Sequence, residues 1–166
     1  MKTNNILAFT AFLAFIVGLL FSSCNSKEDV QKQYLPAITQ GIYGQVLERY
    51  GDWMPVYDPN DGQRGYRPLV REVYIYEYTK FQDFEYAYRG CNYPADSMPQ
   101  PLVTKTTSNK DGYYQVQLEP GTYSFFVLEE GSMYANGADP YGGLMPITIF
   151  ADSVMQVNLV INHGVD

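Results

Sequence analysis

Histidine, cysteine and tryptophan are nearly absent from this chain: its 166 residues include one His, two Cys and one Trp. So little histidine excludes most hydrolytic chemistry. A catalytic zinc takes three protein ligands, commonly His and Glu, and leaves a position for water. A Ser-His-Asp relay needs an imidazole held by a third group. His163, the one imidazole, lies just past the last predicted strand, where chains fray. No HExxH or HxxE spacing occurs. Cys91 sits in a Gly/Pro loop with no helix start to lower its pKa, so a Cys-His pair is not expected either. Neither an enzyme nor a cofactor is expected.

Basic runs are missing too. Eleven basic residues stand against 18 acidic ones, net −7, and the bases are scattered singly. Nucleic acid and anionic lipid head groups both require Lys/Arg clusters, so neither is expected as a partner.

Long apolar runs are absent beyond the start. Lys2 precedes the apolar stretch Ile6–Phe21 and then Ser22-Ser23-Cys24. A charged start, an apolar run and small residues before a break are the parts of a secretory signal. The run is shorter than the ~20 residues of a spanning helix. Phe21-Ser22-Ser23-Cys24 resembles the bacterial lipobox, in which the Cys thiol receives diacylglycerol. The resemblance implies a signal peptide over 1–23, a lipidated Cys24 and a tether over 24–40. Lys27, Glu28 and Asp29 resemble the surface-export signal of one group of Gram-negative bacteria. Together these imply a lipid-anchored, outward-facing protein of the outer membrane. Each buried CH₂ contributes about 0.8 kcal/mol, and stable anchoring takes more than one chain, which a diacylglyceryl plus an N-acyl group supplies.

Once Cys24 carries lipid, Cys91 has no partner within the chain and the fold holds without a disulfide. Cys91 is a free thiol, an intermolecular bridge or a small buried hydrophobe.

What the chain has in abundance is tyrosine, 16 copies, in short β-branched and aromatic runs divided by Gly, Pro, Asn and Asp. This composition fits strands. Seven are predicted: 41–50, 69–78, 102–107, 113–118, 122–128, 147–150 and 154–161. Long loops fall at 51–68, 81–101 and 129–145. Ser108–Gly112 reads as a hairpin turn and Gly44 as a bulge or close approach. Met155, Val157, Leu159 and Ile161 form one apolar face. In 122–128 both faces are apolar, which marks a central strand. The fold class is all-β, an antiparallel sandwich of about seven strands.

Four segments then carry a resemblance: Gly41-Ile-Tyr-Gly-Gln-Val46, Arg71-Glu-Val-Tyr-Ile-Tyr-Glu77, Thr107-Ser-Asn-Lys-Asp-Gly-Tyr-Tyr-Gln-Val-Gln-Leu118 and Pro120-Gly-Thr-Tyr-Ser-Phe-Phe-Val127. In this order they resemble the carboxypeptidase regulatory-like domain, a transthyretin-like sandwich, over residues 41–161. The three long loops exceed the family minimum. The resemblance implies a non-catalytic accessory module over 41–166, of a kind carried by peptidases, receptors and surface lipoproteins. It acts as a structural element or in protein interaction.

Residues of possible chemistry remain. Paired carboxylates hydrolyse glycosides, but Glu72 with Glu77, and Glu129 with Glu130, point to opposite faces of a strand. Asp58, Asn60 and Asp61 before Gly62, with Asp139 elsewhere, resemble part of a calcium loop but fit ordinary turn chemistry better. In Val73–Tyr78 the aliphatic pair faces one side, and Tyr74, Tyr76 and Tyr78 face the other. Exposed, these phenols and Trp53 form platforms for sugar rings, and the chain is then a glycan-binding surface protein. Covered by the 81–101 loop with Phe81, Phe84, Tyr86 and Tyr88, they form a second small core. Covering is favoured, because so large an exposed aromatic patch is unusual on a monomer.

Overall fold

Alternation along one long strand organises the molecule. A computed structural model of the chain describes residues 34–53, 64–85 and 90–163. In β1 (Gly41–Tyr50) the positions Ile42, Gly44, Val46 and Glu48 are buried, with less buried residues between them. Its first half pairs antiparallel with β6 (Tyr113–Val116) and parallel with β10 (Val154–Gln156). Its second half pairs antiparallel with β2 (Gly65–Pro68) and parallel with β11 (Leu159–Asn162). These five strands form the first sheet.

The second sheet runs from β5 (Leu102–Thr107) through β3 (Glu72–Glu77) to β7 (Gly121–Glu129). The far side of β7 is shared by β9 (Pro146–Ile149) and β8 (Ser132–Tyr134), and β4 (Asn92–Pro94) closes beyond β8. The chain is an all-β sandwich. Its main core lies between the sheets: Ile42, Val46, Tyr114, Leu159 and Ile161 face Val73, Ile75, Phe125, Val127 and Ile149.

β7 is central, as its two apolar faces predict. Phe125 and Val127 enter the main core, while Phe126 and Leu128 belong to a second cluster on the outer face. Met155, Val157, Leu159 and Ile161 pack on the main core as the alternation requires.

Three expectations change. Among the described residues there are eleven strands, because β2, β4 and β8 arise inside the long loops and 154–161 divides into β10 and β11. That division is local. The Val157 carbonyl accepts from the Tyr114 hydroxyl, and the Asn158 side chain accepts from the Gln45 amide. The sheets are also not purely antiparallel, since the last two strands run parallel to β1. A parallel neighbour needs a crossover, and here the whole intervening chain supplies it.

Finally, Ser108–Gly112 does not close a hairpin, because β5 and β6 lie in different sheets. Asn109 Oδ1 caps the turn by accepting from the Asp111 and Tyr113 amides, and Gly112 takes φ +73°. Turn chemistry is local. Which strands pair afterwards is decided by the faces they bury.

Residues 34–40 lie against the first sheet. Tyr34 stacks on Tyr113 at 4.2 Å and donates to Asp111, and Gln40 Nε2 donates to the Leu118 carbonyl.

Candidate functional site

Tyr74 and Tyr76 of β3 and Tyr78 just past it do not form an exposed row. Tyr76 is buried, its ring edge-on to Phe126 at 5.7 Å and stacked on Tyr74 at 6.4 Å. Phe84, Tyr93, Ala95 and Met98 from the 81–101 segment cover this face, joined by Met133 and Leu144. Tyr78 donates to Asp139 Oδ2 at 2.7 Å, with Lys80 over its ring and Gly143 packed so closely that a methyl there would overlap the phenol. The Tyr78 bond holds the Asp139 carboxyl below its ordinary range, and the same bond pushes the phenol up. Tyr76, with Tyr74 packed against it, thus belongs to a second core, the covered arrangement favoured over an exposed platform, because burying those rings removes more apolar surface from water than displaying them.

Asp139 is also committed as a turn residue. Its Oδ1 accepts from the Tyr141 and Gly143 amides. Among the described residues no group of three or more His, Cys, Asp or Glu is placed to hold a metal ion. Cys91 is half-buried against the main core. Cys24, Lys27, Glu28, Asp29, Asp58, Asn60, Asp61, Tyr86 and Tyr88 lie outside the described residues.

Trp53 is different. It is half-buried, and Arg49, Arg64 and Tyr66 gather beside it. Strand register aligns Tyr66 of β2, Arg49 of β1 and Asn162 of β11 in one row on the outer face of the first sheet. Arg49 places its guanidinium 4.5 Å from the centre of the Trp53 ring and donates to Asn162 Oδ1. Arg64 lies over the same indole at 5.5 Å, and the Tyr66 ring is 5.7 Å from it at 53°. The indole nitrogen donates to the Tyr50 carbonyl, and Arg67 covers the Tyr50 ring. Tyr66 is 54% exposed and Arg64 is exposed. The site has a sequence signal of its own: four of the five arginines (Arg49, Arg64, Arg67, Arg71) fall within residues 49–71, around Tyr50, Trp53 and Tyr66. Read singly, as scattered bases, they hid it.

On the inner face at the same end, the core rows of three strands finish in ionisable groups. Ile42, Val46 and Glu48 continue one row. Phe125, Val127 and Glu129 continue another, and Leu159, Ile161 and His163 a third. Glu48 and Glu129 are both buried. Arg67 pairs with Glu48, and Arg71 reaches both oxygens of Glu129. Between them His163 places Nδ1 3.0 Å from Glu48 and Nε2 3.5 Å from Glu129. The Arg67 bond, with desolvation opposing it and His163 adding to it, holds the Glu48 carboxyl below its ordinary value. The Glu129 pairing raises Arg71. The cluster closes the end of the sandwich with paired charges and ties the sheets together. Each carboxylate already accepts from an arginine.

A recess lined by Phe125, Tyr134, Met145 and Leu159 has about 10 Å³, room for one water. Comparison with family models, with curated proteins and with solved structures found no match.

Proposed function

We propose that the chain is a non-catalytic surface lipoprotein whose sandwich binds a glycan through the rim built by Trp53, Tyr66 and Arg64. Acylated Cys24 anchors it to the outer membrane, and Lys27, Glu28 and Asp29 direct it outward. The observation that carries the binding reading is an exposed aromatic ring and a guanidinium held against one indole, outside both cores. Such rings stack on the C–H faces of sugars, and the stacked cation fixes orientation. The order of the strands supports a carboxypeptidase regulatory-like module. The resembling segments supply β1, β3, the 107–118 crossing and β7, and the first and last strands lie together.

A second reading, an accessory that docks a protein, is favoured by one feature. β5 is an edge strand of six residues with Leu102 48% and Val103 42% exposed. Such an edge accepts a strand from a partner.

A glycan-array screen of the chain and its Trp53→Ala variant separates the two. Saccharide binding lost in the variant supports the rim. No binding to any glycan, with a protein partner competed by substitutions at Leu102 and Val103, supports the edge. Replacing Cys24 with Ala tests the anchor independently: the protein is expected to leave the membrane fraction, and retention there refutes acylation.

A further inference from the structure

We propose that the glycan bound at this rim is acidic, a uronate-bearing saccharide whose carboxylate pairs with Arg64 while its sugar face rests on Tyr66. The inference rests on the rim being a saccharide site and names the ligand class.

The argument begins with charge. The chain carries 18 acidic and 11 basic residues, so a cation has abundant carboxylates to choose from. Arg67 has Glu48, Arg71 has Glu129 and Lys105 has Glu72. Arg64 lies over Trp53, and among the described residues no carboxylate pairs with it.

Geometry gives this a use. A guanidinium placed over an aromatic ring uses none of its N–H groups in a hydrogen bond there, so those of Arg64 stay available. That planar fork fits a carboxylate through two parallel hydrogen bonds. Contact with the Trp53 ring also restrains the side chain, which lowers the ordering cost of binding.

The neighbours select what carries the carboxylate. Arg64 and Tyr66 are two residues apart and both meet Trp53, so the cation and the exposed phenol form one surface. A uronate presents a carboxylate beside an apolar C–H ring face, which matches a fork beside an aromatic ring. An acidic peptide offers the carboxylate on a flexible stem without that face. Because the whole protein is acidic, no long-range field draws a polyanion in. Recognition then depends on this local fork, and one residue decides it.

The test uses the full-length chain in detergent, with Trp53, the single tryptophan, as fluorescent reporter. Three probes are titrated: polygalacturonate, the same polymer with its carboxylates methyl-esterified, and polyglutamate. Polygalacturonate is expected to bind roughly tenfold or more tighter than the other two, the usual scale for a charged hydrogen-bonded contact. Arg64→Gln is expected to bring polygalacturonate down to the level of the ester while leaving the melting temperature unchanged. Arg64→Lys keeps the charge without the fork and is expected to restore only part of the difference.

Equal binding of polymer and ester, both lost in Tyr66→Ala, overturns the acidic ligand and leaves a neutral-sugar site standing. Polyglutamate binding as tightly as polygalacturonate, with the same dependence on Arg64, overturns the saccharide. No response to either polysaccharide overturns this inference, and the rim reading falls with it when the glycan array also shows no binding lost in Trp53→Ala.

Discussion

Glu48 of β1 and His163, just past β11, meet at 3.0 Å although 115 residues separate them in sequence. Both continue apolar rows that face the core, so each stands where the next residue inward is fully buried. A carboxylate at such a place is costly unless paired. Arg67 from β2 and His163 from the parallel side supply the partners, and Glu129 with Arg71 repeats the arrangement on the second sheet.

The pairing at Glu48 predicts an acid dependence with a definite sign. Its folded pKa is lowered, first by Arg67, so its contribution is complete above the ordinary carboxylate pKa of 4.5. It is lost as pH falls below that value toward the folded pKa. Glu48→Gln is expected to melt roughly 3–6 °C below the wild type at pH 7. The gap is expected to narrow as pH falls from 4.5 to 3. Circular dichroism melts at several pH values check this, and a gap of constant size down to pH 3 contradicts it.

Gly44 predicts a steric effect without any charge. A methyl there would overlap the Val157 carbonyl, which is backbone and has nowhere to move while β10 and β11 flank β1. Gly44→Ala is expected to cost about 3 kcal/mol, the upper end for overpacking a core. Gly131 has φ +82° and open space beyond it, so Gly131→Ala is expected to cost only about 1 kcal/mol of backbone strain. Urea denaturation of both variants measures the difference. Equal costs refute the close approach.

How much of this was legible depends on which force decided each feature. The core rows of β7 and of 154–161 follow from alternation, because the choice of buried face is a property of side chains in order. The close approach at Gly44 follows from a glycine in an otherwise bulky strand. The parallel pairing of β1 with β10 and β11, and the crossing at Ser108–Gly112, do not. A turn specifies its own dihedrals, and the pairing of distant strands is settled by the assembled core. The charged end is hidden in the sequence because its rows run past the predicted strand ends: Tyr123, Phe125 and Val127 continue to Glu129, and Ile161 continues to His163. The rim was half visible. Trp53 stands out by rarity, but its arginines assemble only when β1 and β2 pair.

Covering the β3 tyrosines yields a stability prediction with a built-in contrast. Tyr76 is 6% exposed and packs on Phe126, while Tyr66 is 54% exposed at the rim. Tyr76→Ala is expected to cost about 3–5 kcal/mol, as for other buried aromatic truncations. Tyr66→Ala is expected to stay within about 0.5 kcal/mol of wild type. Urea midpoints report both. A destabilised Tyr66 variant with an unaffected Tyr76 variant reverses the assignment of core and rim.

The buried phenols make the alkaline limb of stability as informative as the acid one. Burial pushes Tyr93 up to about 12, with Cys91 adding to it, and burial raises Tyr114 further still. A phenol with a raised folded pKa contributes stability that is complete below its unfolded value near 10. That contribution is lost as pH rises toward 12. Absorbance at 295 nm, followed from pH 9 to 13 alongside far-ultraviolet dichroism, is expected to show a late fraction of phenolate. That fraction is expected to emerge together with the loss of strand signal, because Tyr114 ionises only when its bond to the Val157 carbonyl and the core around it are given up. Ionisation of all the tyrosines in one early step near pH 10, with strand dichroism intact, contradicts the buried positions assigned to Tyr93 and Tyr114.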